Sequence, residues 1–88
     1  MRYFIAIGNE SQIDIVGLER NLNLALDWIQ IMPNVFIVKS NKTKELWHAR
    51  IKSVTNNNLF FITEISLNNN FNGWLYPKTW EWINKNKP

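Results

Sequence analysis

The 88-residue chain has no cysteine. That excludes a disulfide staple and a thiolate metal site. Long apolar runs are missing too. The longest are short pieces such as "FIAI" and "VFIV", far below the ~20 residues a membrane span needs. The opening "MRYFIAIGNE" has neither a long apolar core nor a small-residue cleavage site, so it does not read as a signal peptide. A cytoplasmic protein with no membrane partner is expected.

Catalytic groups are scarce. There is one histidine, and seven carboxylates share the chain with ten Lys and Arg. No paired carboxylates, glycine-rich phosphate loop or metal-ligand cluster appears, so no catalytic residue, metal ligand or cofactor is assigned. Glu10 and Glu64 are the only acids at strand positions or ends read as able to point into a shared site. The net charge of +3 is mildly basic and does not by itself imply nucleic acid.

Aromatic residues are present in quantity. A chain of this size buries only about 60–65% of its unfolded surface, so large side chains must make up its core. Twelve aromatics, five of them tryptophan, supply about 150–250 Å² each. Asparagine occurs fourteen times, with runs at 56–58 and 68–70 that mark loops.

"RYFIAIG" is apolar on both alternating faces, with Tyr3, Ile5 and Ile7 on one and Phe4 and Ala6 on the other. This predicts an interior strand covered on both sides. Residues 14–26 follow a helical period, with Ile15, Leu18, Leu22, Ala25 and Leu26 in one arc, and Ser11 or Asp14 as the cap. "DWIQIMPNVFIVKS" could extend that helix to Met32 or form a hairpin. The hairpin is favoured by its β-branched residues and by the Pro33-Asn34 turn.

Residues 42–54 form a second amphipathic helix. It carries Leu46, Trp47, Ile51 and Val54 in one arc, with Ser40 or Thr43 as cap. "LFFITEISL" is a strand. Pro77 opens a last helix over 77–85, whose Thr79, Trp80, Trp82 and Ile83 make a broad apolar face. The order β-α-β-β-α-β plus a C-terminal helix predicts an α+β, ferredoxin-like single domain over 1–88, with a four-stranded antiparallel sheet. Such a sheet has one face free of its two crossover helices. The tryptophan-rich tail is expected to cover that face, either in the same chain or in a second copy. Trp74 is the tryptophan most easily released from the core, and Trp74 and Trp82 are the candidates for a partner-binding surface.

Five of the ten basic residues, Lys39, Lys42, Lys44, Arg50 and Lys52, lie between 39 and 52. Lys44, His48 and Lys52 recur at i, i+4, i+8 and form one outward stripe. Like charges at this spacing cost about 0.2–0.5 kcal/mol per pair. Such a stripe is ordinarily a solvated helix face. Its functional reading is phosphate binding, with Lys39, Lys42, Lys44, His48, Arg50 and Lys52 as candidate nucleic-acid contacts.

"RYFIAIG", "DWIQIMPNVFIVKSNKTKELWHARIK", "NNLFFITEI" and "GWLYPKTWEWI" together resemble the small SinR-like proteins, relatives of the small subunit of the CRISPR adaptation complex. The "VKSNKT" turn and the "LFF" strand carry most of the likeness. The resemblance implies a ferredoxin-like fold and a homodimer formed through the sheet. Nuclease members of the wider group close the first strand with a metal-binding aspartate, and that place here holds Gly8, followed by Asn9. The turn before the last strand, rich in acids in that family, reads Thr55-Asn56-Asn57-Asn58 here and carries no carboxylate. The reading that results is a small non-catalytic dimeric binding module for nucleic acid or a host protein, such as a phage-type inhibitor of a host defence system. The alternative is a metal-dependent nuclease using Glu10 from two subunits.

Overall fold

The computed structural model describes residues 2–8, 14–55, 58–68 and 71–87. Its elements run β1 (Arg2–Gly8), α1 (Ile15–Leu22), β2 (Asp27–Met32), β3 (Val35–Ser40), α2 (Lys44–Lys52), β4 (Phe60–Ile65) and α3 (Pro77–Asn86). The chain is α+β. Its four strands form one antiparallel sheet in the order β2-β3-β1-β4. Within each of the two β-α-β units the strands run parallel with an antiparallel strand between them. Both units therefore interlock in one sheet.

Strand alternation assigns the two faces. Phe4 on β1 lies opposite Val38 on β3 and Glu64 on β4, and Ala6 lies opposite Phe36 and Ile62. On this face α1 and α2 supply Leu18, Leu22 and Trp47, which close one core with Phe4, Val38 and Val54. Phe4, Val38 and Trp47 are fully buried, and each such side chain contributes about 1.5–3 kcal/mol.

Local chemistry explains the element ends. Asp14 caps α1, its Oδ1 accepting from the Gly17 amide at 3.1 Å. Gly17 is needed for close approach, because a Cβ there would lie 2.5 Å from Asp14 Oδ2 and 3.0 Å from Val54 Cγ1. Thr43 caps α2 through the Leu46 amide, and the Ser40 hydroxyl accepts from Lys42 N instead. Ser11, Asn9, Glu10, Asn56, Asn57, Asn69 and Asn70 lie outside the described residues. The hairpin forms as expected, with Asn34 in the left-handed region at φ 68°, a conformation asparagine tolerates. The Asn34 carbonyl accepts from Gly8 N at 3.0 Å, tying the turn to β1.

Two expectations change. The first helix stops at Leu22 rather than reaching 26, because the Leu26 amide donates to Lys39 O and begins the pairing of β2 with β3. Ile15 and Leu26 are consequently about half exposed, at 47% and 55%. Leu46 lies at the margin of the buried arc of α2 and is about one-third exposed, at 36%.

The second face carries Tyr3, Ile5 and Ile7 with their partners from β3 and β4. α3 lies across part of it. Thr79 and Ile83 are buried against it, and Trp80 and Trp82 are half-buried. Trp82 Nε1 donates to Asp27 Oδ2 at 2.9 Å, and its ring meets Tyr3 edge-on with centroids 6.4 Å apart. Asn86 Oδ1 accepts from Lys39 Nζ at 2.8 Å, and the Asn86 carbonyl accepts from the Tyr3 hydroxyl at 3.2 Å. Pro77 sits at the first turn of α3, where its missing N–H costs no helical bond. Ile83→Ala is expected to destabilise the protein by about 2–5 kcal/mol, whereas Trp74→Ala changes stability by less than ~0.5 kcal/mol. Urea denaturation of both variants measures the difference.

Candidate functional site

Two surfaces remain once the two faces are packed. The first is the outer side of α2. Lys44, His48 and Lys52 are all exposed, as their i, i+4, i+8 spacing requires, and Lys42 is exposed just ahead of the helix. Lys44 has a 4.0 Å contact with Glu45, a surface pair worth at most about 1 kcal/mol. The His48 ring lies 5.0 Å from that of Phe60 on β4, tilted by 45°.

The other two basic candidates are placed differently. Lys39 pairs across the sheet with Tyr3 and Asp27, so its side chain projects to the α3 face, away from α2, where it binds Asn86. Arg50 is half-buried, its guanidinium carbon 4.8 Å from the centre of the Trp47 ring. Arg50 Nη1 and Trp47 Nε1 are both buried and find no hydrogen-bond acceptor among the described residues. The structure thus gathers Lys42, Lys44, His48 and Lys52 and separates Lys39 and Arg50 from them.

The second surface is apolar and was not visible as a unit in the sequence. Cross-strand register aligns Phe61, Ile7, Val35 and Met32 in one row across all four strands. Directly opposed residues point to the same side, so the row lies on the face that carries α3, beyond the helix's reach. Phe61 is 62% exposed, Met32 46% and Ile7 43%. Met32 stands where the β2–β3 register shifts, and shares a hollow of ≈ 530 Å³ with Ile31, Pro33, Trp74, Leu75 and Tyr76. Trp74 is 100% exposed and Tyr76 78%. The row therefore continues into the segment before α3. Trp82, the other aromatic candidate, is engaged internally by Asp27 and Tyr3.

Gly8 closes β1, opposite Phe60. Glu64 is exposed on β4. Among the described residues no three acidic or histidine side chains gather as a metal-ion group, and no helix is long and apolar enough to cross a membrane. No protein-family model, no curated protein and no solved structure matches the chain.

The exposure of Trp74 has an optical consequence. Trp74→Phe is expected to remove the most red-shifted, iodide-quenchable part of the tryptophan emission. The fully buried Trp47 should resist the quencher, and the half-buried Trp28, Trp80 and Trp82 should be quenched less than Trp74. Unchanged quenching in that variant would contradict the placement.

Proposed function

We propose that this chain is a ferredoxin-like, non-catalytic binding module, related to the SinR-like proteins, that works by docking protein surface against its open sheet face. The strand order β2-β3-β1-β4 with two interlocked β-α-β units supports the fold reading. The contiguous apolar row from Phe61 to Met32, extended by Trp74 and Tyr76, is the single observation that carries the functional reading. Contiguous apolar patches of several hundred Å² on a small protein mark interaction sites. Exposed tryptophan and tyrosine are the residue types that dominate binding hot spots. A second copy of the chain is the first partner, because a two-fold axis through the row would set it against the same row of the other copy. A host protein, as for a phage-type inhibitor of a defence system, is the second.

A nucleic-acid role for α2 is favoured by the exposed Lys42, Lys44, His48 and Lys52. Such a surface binds phosphates without reading sequence.

One set of measurements separates these readings. Sedimentation of the pure chain should show a concentration-dependent dimer, and Phe61→Glu with Trp74→Ala should weaken it at least about tenfold. A strict monomer at all concentrations that also captures no protein would contradict the docking reading. Labelled RNA and DNA, with Mg²⁺ or Mn²⁺, test the rest. Binding through α2 should lose about 0.7–0.9 in salt slope per lysine neutralised at Lys42, Lys44 or Lys52. Metal-dependent cleavage abolished by Glu10→Ala would replace the binding module with a nuclease.

A further inference from the structure

A further apolar recess lies between α3 and the sheet. It is a cleft of ≈ 470 Å³, walled by Ile5, Ile31, Ile37 and Ile65 of the strands and by Trp80 and Phe71. The Phe71 and Trp80 rings are nearly parallel, 18° apart, with centroids separated by 6.3 Å. This volume falls within the ~300–1,000 Å³ range of small-molecule sites, and its apolar lining is typical of them.

A second hollow of ≈ 630 Å³ adjoins it. The two share Ile65, Ser66 and Leu67, and Lys39, Lys85 and Lys87 line the second. Among the described residues its one acid is Glu64, which pairs across the strands with Phe4 and so belongs to the opposite face of the sheet. Lys87 joins the two spaces directly, its Nζ lying 5.6 Å from the centre of the Phe71 ring. Apolar walls thus adjoin a hollow lined by three lysines.

We propose that this composite recess binds a free single-chain fatty acid, with the alkyl tail in the isoleucine-walled cleft and the carboxylate on Lys85 and Lys87. Charge complementarity selects this occupant. A neutral apolar ligand would leave the lysines unused, and an inorganic anion would leave the cleft unused. The Tyr3 hydroxyl and the Lys39 ammonium, already linked through Asn86, form the far wall of the lysine hollow and hold that end of α3 in place. The cleft shares Ile31 and Leu75 with the hollow beside Trp74, but Phe61, Ile7, Val35, Met32 and the α2 stripe take no part in it, so a change at Lys85 and Lys87 tests it apart from the function proposed above.

The test uses the full chain with decanoate below its micelle concentration, and with decanol and inorganic phosphate as comparators. Saturable one-to-one binding of decanoate by calorimetry is expected, with shifts of the Ile5, Ile31 and Ile37 methyl resonances. Decanol should bind about tenfold more weakly, since a charge-assisted contact is lost. Lys85→Ala with Lys87→Ala, both at the surface and outside the core, should weaken decanoate about tenfold and leave decanol unchanged. Ile31→Gln should weaken both, with circular dichroism confirming an intact fold. Absence of saturable decanoate binding overturns the proposal. Equal affinity for decanoate and decanol, or phosphate binding as tightly as decanoate, overturns it as well.

Discussion

A four-stranded sheet of short strands has two faces, and two helices cover only one of them. The docking of α3 on the other face is the constraint on which the rest of the structure depends. An uncovered row of Tyr3, Ile5 and Ile37 would leave the small core half open to water. Trp82 and Ile83 close that side, and polar contacts fix the helix's position. Asp27 receives the Trp82 indole N–H through one carboxylate oxygen and the Trp28 amide through the other. Tyr3, Lys39 and Asn86 lock the far end of α3. The indoles near the end of the chain are therefore divided between two uses. Trp80 and Trp82 fill space, while Trp74 stands in solvent.

That division shapes the surfaces. Because α3 covers only part of its face, the end of the sheet at Ile7 and Phe61 stays open. Because Lys39 is drawn to Asn86, the basic stretch of the sequence is split across two sides of the sheet. The remaining cations on α2 form a narrow stripe, a weaker electrostatic footprint than six basic groups together would make. The apolar row has no comparable loss, and this weighs the functional reading toward protein surfaces.

Much of the fold was legible in the sequence because its signals are local. The two apolar faces of "RYFIAIG" predicted a central strand, and β1 lies between β3 and β4. β-branched residues around Pro33-Asn34 predicted the hairpin, and the arc of Thr79, Trp80, Trp82 and Ile83 predicted the face that α3 buries. The misreadings came from long-range contacts. The end of α1 depends on a hydrogen bond from Leu26 to Lys39, thirteen positions away, against which a continuing apolar period gave no warning. The use of Lys39 depends on Asn86, 47 residues distant. The row of Phe61, Ile7, Val35 and Met32 exists only once strand register is known. Alternation alone could assign Ile7 to a face but could not find its neighbours.

Native-state hydrogen exchange tests the central dependence on α3 most directly. If this helix completes the core, the amides of Trp80 to Asn86 should open only with the whole molecule, within about 1 kcal/mol of those in β1 and β3. Exchange of α3 through a separate opening several kcal/mol lower, with β1 and β3 still fully protected, would show that the sheet is stable without it.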